Sequence, residues 1–386
     1  MYSAVIGLGF GDEGKGITTD YLCSRVKNPL VCRYSGGQQA GHNVVLNGVN
    51  HVFSNFGSGT LRGVPTYWSE FCTVEPIGLM IEYEKLTGYG ITPILYIDGN
   101  SPVTTPYDIF ANRVNIDTSS HGTCAVGVGQ TFKREDAFYS LTFSDLFNDF
   151  ILTTKIKNIG DYYKKHYNID NISLKRFYDS IALIRHVSET TVNITSINTR
   201  WKNWLFEKSK YSESYDVIFE GSQGLLLDQH YGFFPHVTRS NTGTKNILTL
   251  TDEVDLYLVT RAYQTRHGNG PMTNENLPHN ISLDPNETNV SNEYQGNFRR
   301  TLLDLDLLLY GIEKDKYICE NLYNSALVIT CLDHIKLDYR YTYEGKIVYC
   351  SDENEFISSI KDIIKIRQVI TSHSPESKNY ESFKIS

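Results

Sequence analysis

Gly9-Phe10-Gly11-Asp12-Glu13-Gly14-Lys15-Gly16 sets one lysine and two carboxylates among closely spaced glycines near the start of the chain. The run fits G-x-x-x-x-G-K, a loop whose backbone N–H groups and lysine surround phosphates at a helix N-terminus. Gly16 stands where such loops usually carry a Ser or Thr to hold a metal ion. The same letters also fit the dinucleotide fingerprint G-x-G-x-x-G. Asp12 and Glu13 would repel a pyrophosphate unless a divalent cation or a catalytic task calls for a carboxylate, so the loop points to Mg²⁺-dependent phosphoryl chemistry. A second constellation, residues 36–42 (GGQQAGH), brings small residues for close backbone approach, amides to read a base or phosphate, and His42 to donate a proton.

The elements that must position these loops read as an α/β fold. Residues 2–8 are a short apolar run ending in glycines, residues 17–26 read as a helix, and residues 30–34 as a second strand. Strand, glycine turn, helix, strand is a βαβ opening, which favours a large, mostly parallel sheet with helices on its faces. Residues 94–98, 217–220, 257–261 and 327–332 are further buried-strand candidates. The last three are followed by polar or glycine-bearing loops, where open α/β sheets carry ligands. Residues 141–215, rich in Lys, Tyr, Asn and Asp, predict a mostly helical insertion or lid within a single domain. Residues 278–296 predict a mobile loop, and the polar stretch after Val369 predicts fraying.

Composition narrows the class. A chain of 386 residues with 40% hydrophobic and 21% charged residues is an ordinary globular enzyme in outline. The formal charge of -8 argues against general nucleic-acid binding, which needs a concentrated basic face. Seven widely spaced cysteines with no C-x-x-C pair predict reduced thiols in a cytoplasmic setting. No run approaches the ~20 apolar residues of a membrane span.

Together the two loops resemble those of adenylosuccinate synthetases, which carry GDEGKG and then GGxNAGH in this order. The resemblance continues through residues 121–129 (HGTCAVGVG), 219–228 (FEGSQGLLLD), 234–242 (FPHVTRSNT), 263–275 (YQTRHGNGPMTNE) and 330–333 (TCLD). It implies a ligase that joins L-aspartate to C6 of a 6-oxopurine nucleotide, normally IMP, using a nucleoside triphosphate and Mg²⁺ in a homodimer. By position it implies Asp12 as the base at N1 and as a metal ligand with the Gly41 carbonyl. His42 and Lys15 would serve the transferring phosphoryl group, and Gln223 the 6-oxygen. Gly11, Glu13, Gly14, Gly16, Gln39, Thr123, Cys124, Thr238, His267 and Asp333 would contact nucleotides, and Arg299 and Thr301 the aspartate.

The pattern departs from the family at its outer contacts. Cys331 replaces the lysine of the guanine-reading TKLD, which makes ATP an alternative donor to GTP. Asn297 replaces an arginine that touches the ribose 2′-hydroxyl, and Cys124 a phosphate-binding threonine. The arginine that the family supplies across its dimer has no clear match, with Lys133 or Arg134 as candidates. A related viral branch uses dGMP with ATP or dATP, and these departures point toward it, while the retained Asp12 points back to IMP. From other classes, an NADP-dependent oxidoreductase built on residues 9–14 and a non-catalytic nucleotide-binding protein are the alternatives.

Overall fold

The computed structural model describes residues 1–114, 124–211, 214–282 and 296–383. Its strands, in chain order, are β1 (Tyr2–Gly7), β2 (Pro29–Arg33), β3 (His42–Leu46), β4 (Val49–Phe53), β5 (Thr66–Trp68), β6 (Leu95–Asp98), β7 (Ile194–Ile197) and β8 (Asp216–Gly224). They continue as β9 (Asp255–Arg261), β10 (Tyr263–His267), β11 (Phe298–Asp304), β12 (Ala326–Thr330), β13 (Arg340–Tyr343), β14 (Lys346–Tyr349), β15 (Gln368–Ser372) and β16 (Tyr380–Ser382). Ten of them form one sheet in the order β16-β15-β12-β9-β1-β8-β2-β5-β6-β7. Every pairing in it is parallel except β15 with β16.

The central strands are continuous apolar runs buried on both faces, as parallel strands covered by helices must be. Ala4, Ile6, Val217, Phe219, Leu258 and Leu327 all lie in the core. β1 sits between β8 and β9, so the chain passes to either side of it, and the loops after the strands collect at one edge. This is the switch-point crevice where open α/β sheets hold ligands. β10, β11, β13 and β14 make a separate four-stranded sheet, and β3 with β4 a hairpin beside helix α1 (Lys15–Cys23).

The stretch from residue 141 to 211 carries the helices Asp149–Tyr167, Lys175–Thr190 and Trp201–Tyr211. They are core as well as cover. Leu152, Ile156, Ile159, Phe177 and Ile184 are buried in one cluster with Trp68 and Leu95, and β7 closes the edge of the main sheet. The end of the chain differs from expectation too. Residues 368–382 are ordered as β15 and β16, because Tyr380 is buried, stacks on Tyr21 at 5.0 Å and bonds the Thr18 hydroxyl at 3.0 Å. Most of the predicted mobile loop at 278–296 lies outside the described residues. All seven cysteines are free thiols. Among the described residues no helix is long and apolar enough to cross a membrane.

Candidate active site

The phosphate loop joins β1 to α1, and Glu13 holds it from beneath. The Glu13 carboxylate accepts hydrogen bonds from Gly9 N (3.0 Å), Gly11 N (2.7 Å) and Lys15 Nζ (2.8 Å), with the lysine and glutamate both buried. The Glu13 carboxylate is therefore turned inward and spent on the loop itself, which leaves its backbone for the expected nucleotide contact. This also resolves the presence of two acids in a phosphate loop: Asp12 alone of the pair faces the cleft. Gly14, at φ 99°, caps α1, and the Thr330 hydroxyl donates to Glu13 O at 2.7 Å, which ties the loop to the end of β12.

Gly16 has a steric reason. A Cβ there would stand 2.7 Å from His42 Cβ and 3.0 Å from Ser58 Oγ. The Ser or Thr of an ordinary phosphate loop does not fit, because a histidine occupies the space.

Asp12 adopts φ 62°, a left-handed conformation that Asp tolerates better than most residues. Its backbone carbonyl accepts from Arg261 Nε at 2.6 Å, and its Oδ2 lies 3.3 Å from His267 Nε2. Burial pushes its pKa up, but the His267 hydrogen bond and charge, with Arg261 and Lys15, bring it below the ordinary 3.8. The group is therefore a carboxylate at neutral pH, able to take a proton or a metal ion. His267, expected among the nucleotide contacts, is in this structure the partner of Asp12.

His42 Nδ1 lies 2.7 Å from Glu220 Oε1 in the buried interior. Glu220 in turn accepts from Ser58 N at 3.1 Å and from the Ser58 hydroxyl. The carboxylate fixes the ring, so its other nitrogen is left for the cleft. Burial holds the His42 pKa below its ordinary 6.5, against the raising effect of Glu220, with Arg33 and Lys15 lowering it further. Sequence reasoning misses Glu220: the FEGSQG motif contains it, but its partner is 178 residues away.

Asp12, Lys15, His42 and Gln223 line one open cleft of about 1000 Å³, counting the space at its mouth. Gly11, Gly14, Gly16 and the Gly41 segment form its floor, and Asp333 lines it on the β12 side, 3.7 Å from His334 Nε2. Gln223 sits at φ 61°, where the β1–β8 register slips between Val5 and Gly7. Among the described residues no cluster of three or more His, Cys, Asp or Glu forms a ready metal cage. One carboxylate and one carbonyl, Asp12 and Gly41, nonetheless suit Mg²⁺, which binds through one or two carboxylates and completes its shell with water and substrate phosphates.

Beyond the cleft the expected substrate contacts are more dispersed. Both polar atoms of the Gln39 side chain are buried without a hydrogen-bond partner among the described residues, which marks a place for a polar ligand. The Cys124 thiol is 3.9 Å from the Gln39 carbonyl, and Ser240 Oγ accepts from Gly36 N at 3.2 Å, so the loop carrying Thr238 leans on the loop carrying Gln39. Thr123 lies outside the described residues. Arg299 is committed to Glu275 (2.7 Å) and to the carbonyls of Gly268 (2.6 Å) and Gly270 (2.8 Å). Thr301, two residues along β11, has its hydroxyl on the Thr273 and Leu302 carbonyls. Directly across the strand pair from Arg299 is Arg266, buried, stacked 4.1 Å over Phe10, and lowered to about 10 by burial and then by Arg299. Sequence reasoning misses this second arginine as well.

Of the two candidates for the arginine across the dimer, one is turned inward. Arg134 is fully buried, with Nε on Asp108 (2.9 Å) and other donors on Val103 O and Glu135, so it cannot reach a second copy of the chain. Lys133 lies over the Tyr167 ring at 5.3 Å.

The model of one protein family, adenylosuccinate synthetase, matches residues 4–383 of the chain. The adenylosuccinate synthetase of Francisella philomiragia is 30% identical over 374 residues, covering 90% of this chain and 82% of that protein. That of Actinobacillus pleuropneumoniae is 32% identical over 288 residues, covering 70% of this chain and 64% of its own length. Among solved structures, the fully ligated adenylosuccinate synthetase of Plasmodium falciparum superposes with TM-score 0.77 at 18% identity, covering 99% of this chain and 100% of the other. The succinoaminodeoxyadenylate synthetase of cyanophage S-2L, bound to dGMP and to dATP as an energy donor, superposes with TM-score 0.65 at 13% identity, covering 98% and 94%. The chain belongs to the adenylosuccinate synthetase family of C–N ligases, which sets aside the oxidoreductase alternative.

Proposed function

We propose that this synthetase-family chain joins L-aspartate to C6 of IMP, giving adenylosuccinate, through a 6-phosphoryl intermediate made at the expense of a nucleoside triphosphate. The observation that carries the reading is the convergence of Asp12, Lys15, His42 and Gln223 on one cleft at the switch point of the sheet.

The C6 oxygen of a purine is a poor leaving group and must first be activated. Asp12, ionised and facing the cleft, removes the N1 proton, so that O6 becomes nucleophilic and takes the terminal phosphoryl group of the triphosphate. The aspartate amine then attacks C6, and inorganic phosphate leaves with the former O6. Lys15, held near the loop by Glu13, offsets the charge of the phosphoryl group. His42, braced by Glu220, hydrogen-bonds the group in transfer, and the phosphates beside it favour the protonated ring. Gln223 contacts the 6-oxygen. Mg²⁺, held by Asp12 and the Gly41 carbonyl, would neutralise phosphate charge.

The monophosphate is assigned to Gln39, Thr123, Cys124 and Thr238, and the aspartate carboxylates to Arg299 and Thr301. Asp333 is assigned to the base of the donor. A carboxylate accepts well from the adjacent N1–H and 2-amino groups of guanine, which favours GTP, and ATP is the alternative. A cytoplasmic homodimer completes the proposal.

Incubating IMP, GMP or dGMP with aspartate, Mg²⁺ and either GTP or ATP tests this, with products followed by absorbance and mass. Adenylosuccinate from IMP is the expected result. A succinylated product from dGMP alone would move the chain to the activity of the cyanophage type. Tight nucleotide binding without product in any combination would contradict the ligase reading.

A further inference from the structure

Arg33 ends β2 and is completely buried. Its Nη1 donates to Phe56 O at 3.2 Å, while Nε and Nη2 have no hydrogen-bond partner among the described residues. The guanidinium lies 5.2 Å from the centre of the Trp68 ring, and among the described residues no carboxylate pairs with it directly. A buried full charge in this state is costly, and cores keep such a group only where something offsets it.

The offset is one strand away. Arg33 is the register partner of Glu220 across the parallel β2–β8 pair, so the two side chains project from the same face. Both reach the turn at residues 56–58: Arg33 through Phe56 O, and Glu220 through Ser58 N and Oγ. That turn packs against Gly16 and His42, where any side chain at position 16 would collide. Of the other charged groups near the imidazole, Lys15 is paired with Glu13, and Asp12 lies 3.3 Å from His267. Arg33 is thus a buried full positive charge that shares a face and a turn with Glu220.

We propose that Arg33 is a positioning residue: it is the buried counter-charge that keeps Glu220 an anion, and Glu220 thereby holds the His42 imidazole aimed into the cleft. Arg33 does not touch the reacting atoms and acts through Glu220. Trp68 and the Cys72 thiol, both beside Arg33, carry no charge of their own, burial holding the thiol up at about 12. The inference rests on the ligase reading for its kinetic consequence but not for the charge coupling itself.

The test is a double-mutant cycle of Arg33→Gln and Glu220→Gln on the full chain, with Arg33→Lys as the charge-retaining control. Arg33→Gln is expected to lower kcat by about 10- to 100-fold, the size seen when an orienting partner is lost, with KM for IMP and aspartate little changed. In the Glu220→Gln background the same change is expected to cost almost nothing, and Arg33→Lys to restore most of kcat. Additive losses in the cycle, or full activity of Arg33→Gln, would overturn the proposal. Urea unfolding of the same four proteins reads the coupling without reference to catalysis: non-additive midpoints are expected, and additive ones contradict it. Absence of product from the unaltered protein would sink the ligase reading alone, while the unfolding cycle still decides whether Arg33 balances Glu220.

Discussion

The cleft at the edge of the large sheet and the small pocket where β10 meets β11, lined by Gly268, Gly270, Asn297 and Arg299, are built by opposite strategies. In the cleft three of the four candidate catalytic side chains already have a partner that fixes them: Lys15 has Glu13, His42 has Glu220, and Asp12 has His267. In the β10–β11 pocket two arginines face each other across the strand pair with Glu275 as the one acid in contact among the described residues, and Arg299 spends its donors on loop carbonyls. Like charges set directly opposite cost stability, so the second arrangement is complete only when more negative charge arrives. Under the proposed function L-aspartate, with two carboxylates, would supply it. The contrast separates a prearranged centre that sets rate from a receptive one that sets affinity.

The largest effect should come from the centre. Asp12→Ala removes the proposed base and is expected to lower kcat by at least about 10³-fold, within the range for lost general-base catalysis, while equilibrium dialysis shows IMP still bound. Full turnover in that variant would remove Asp12 from the mechanism. Gly16→Ser tests the steric basis of the same region. With a Cβ only 2.7 Å from His42 Cβ, the loop or the histidine must shift, and a loss of about 100-fold in kcat is expected from a misplacement near 1 Å. A serine variant with unaltered kcat would show that the histidine has room.

The pocket should respond in KM instead. Arg299→Leu is expected to raise KM for aspartate by roughly 10- to 100-fold, the cost of losing hydrogen bonds from a charged group, with a smaller change in kcat. Glu275→Gln should move the other way and lower KM for aspartate a few-fold, because the carboxylate competing for Arg299 is gone. A rise in KM for both variants would mean that Glu275 orients the arginine and does not compete for it.

The smallest effect is on stability. The His42 pKa is lowered in the folded protein, so below the ordinary value of 6.5 the unfolded chain binds more protons than the folded one. Stability must therefore be full above that value and decline as pH falls below it. Glu220, also lowered from its ordinary 4.5, adds a second decline at more acid pH. Urea midpoints measured against pH should show the first decline in the unaltered protein and lose it in His42→Asn. An identical curve in that variant would assign the decline to another group.

How far the sequence foretold this molecule depends on whether a feature is local. The strands at 2–7, 29–33, 216–224, 255–261 and 326–330 announce themselves as apolar runs ending in glycine or polar loops, and the loops they carry meet as a parallel sheet requires. Four-residue β7, with only Ile194 and Ile197 buried, is too short to stand out from the helices around it. Glu13 is legible as an acid in a phosphate loop, but not as one that turns inward to Gly9 and Gly11. Glu220 and Arg33 take their meaning from His42 and from each other across neighbouring strands. Arg134 reads as a free cation until Asp108, 26 residues before it, is placed against its guanidinium. What the sequence withholds is chiefly which charge pairs with which, and that is decided by burial.

The central claim, phosphoryl transfer to the purine oxygen in the cleft of Asp12 and His42, is tested most directly with IMP labelled with heavy oxygen at position 6. Incubated with aspartate, Mg²⁺ and triphosphate, the protein should release inorganic phosphate carrying the label, since the former O6 leaves bonded to phosphorus. Adenylosuccinate formed with unlabelled phosphate would contradict the 6-phosphoryl intermediate, and with it the roles of Asp12 as base and His42 as the group that steadies the phosphoryl in transfer.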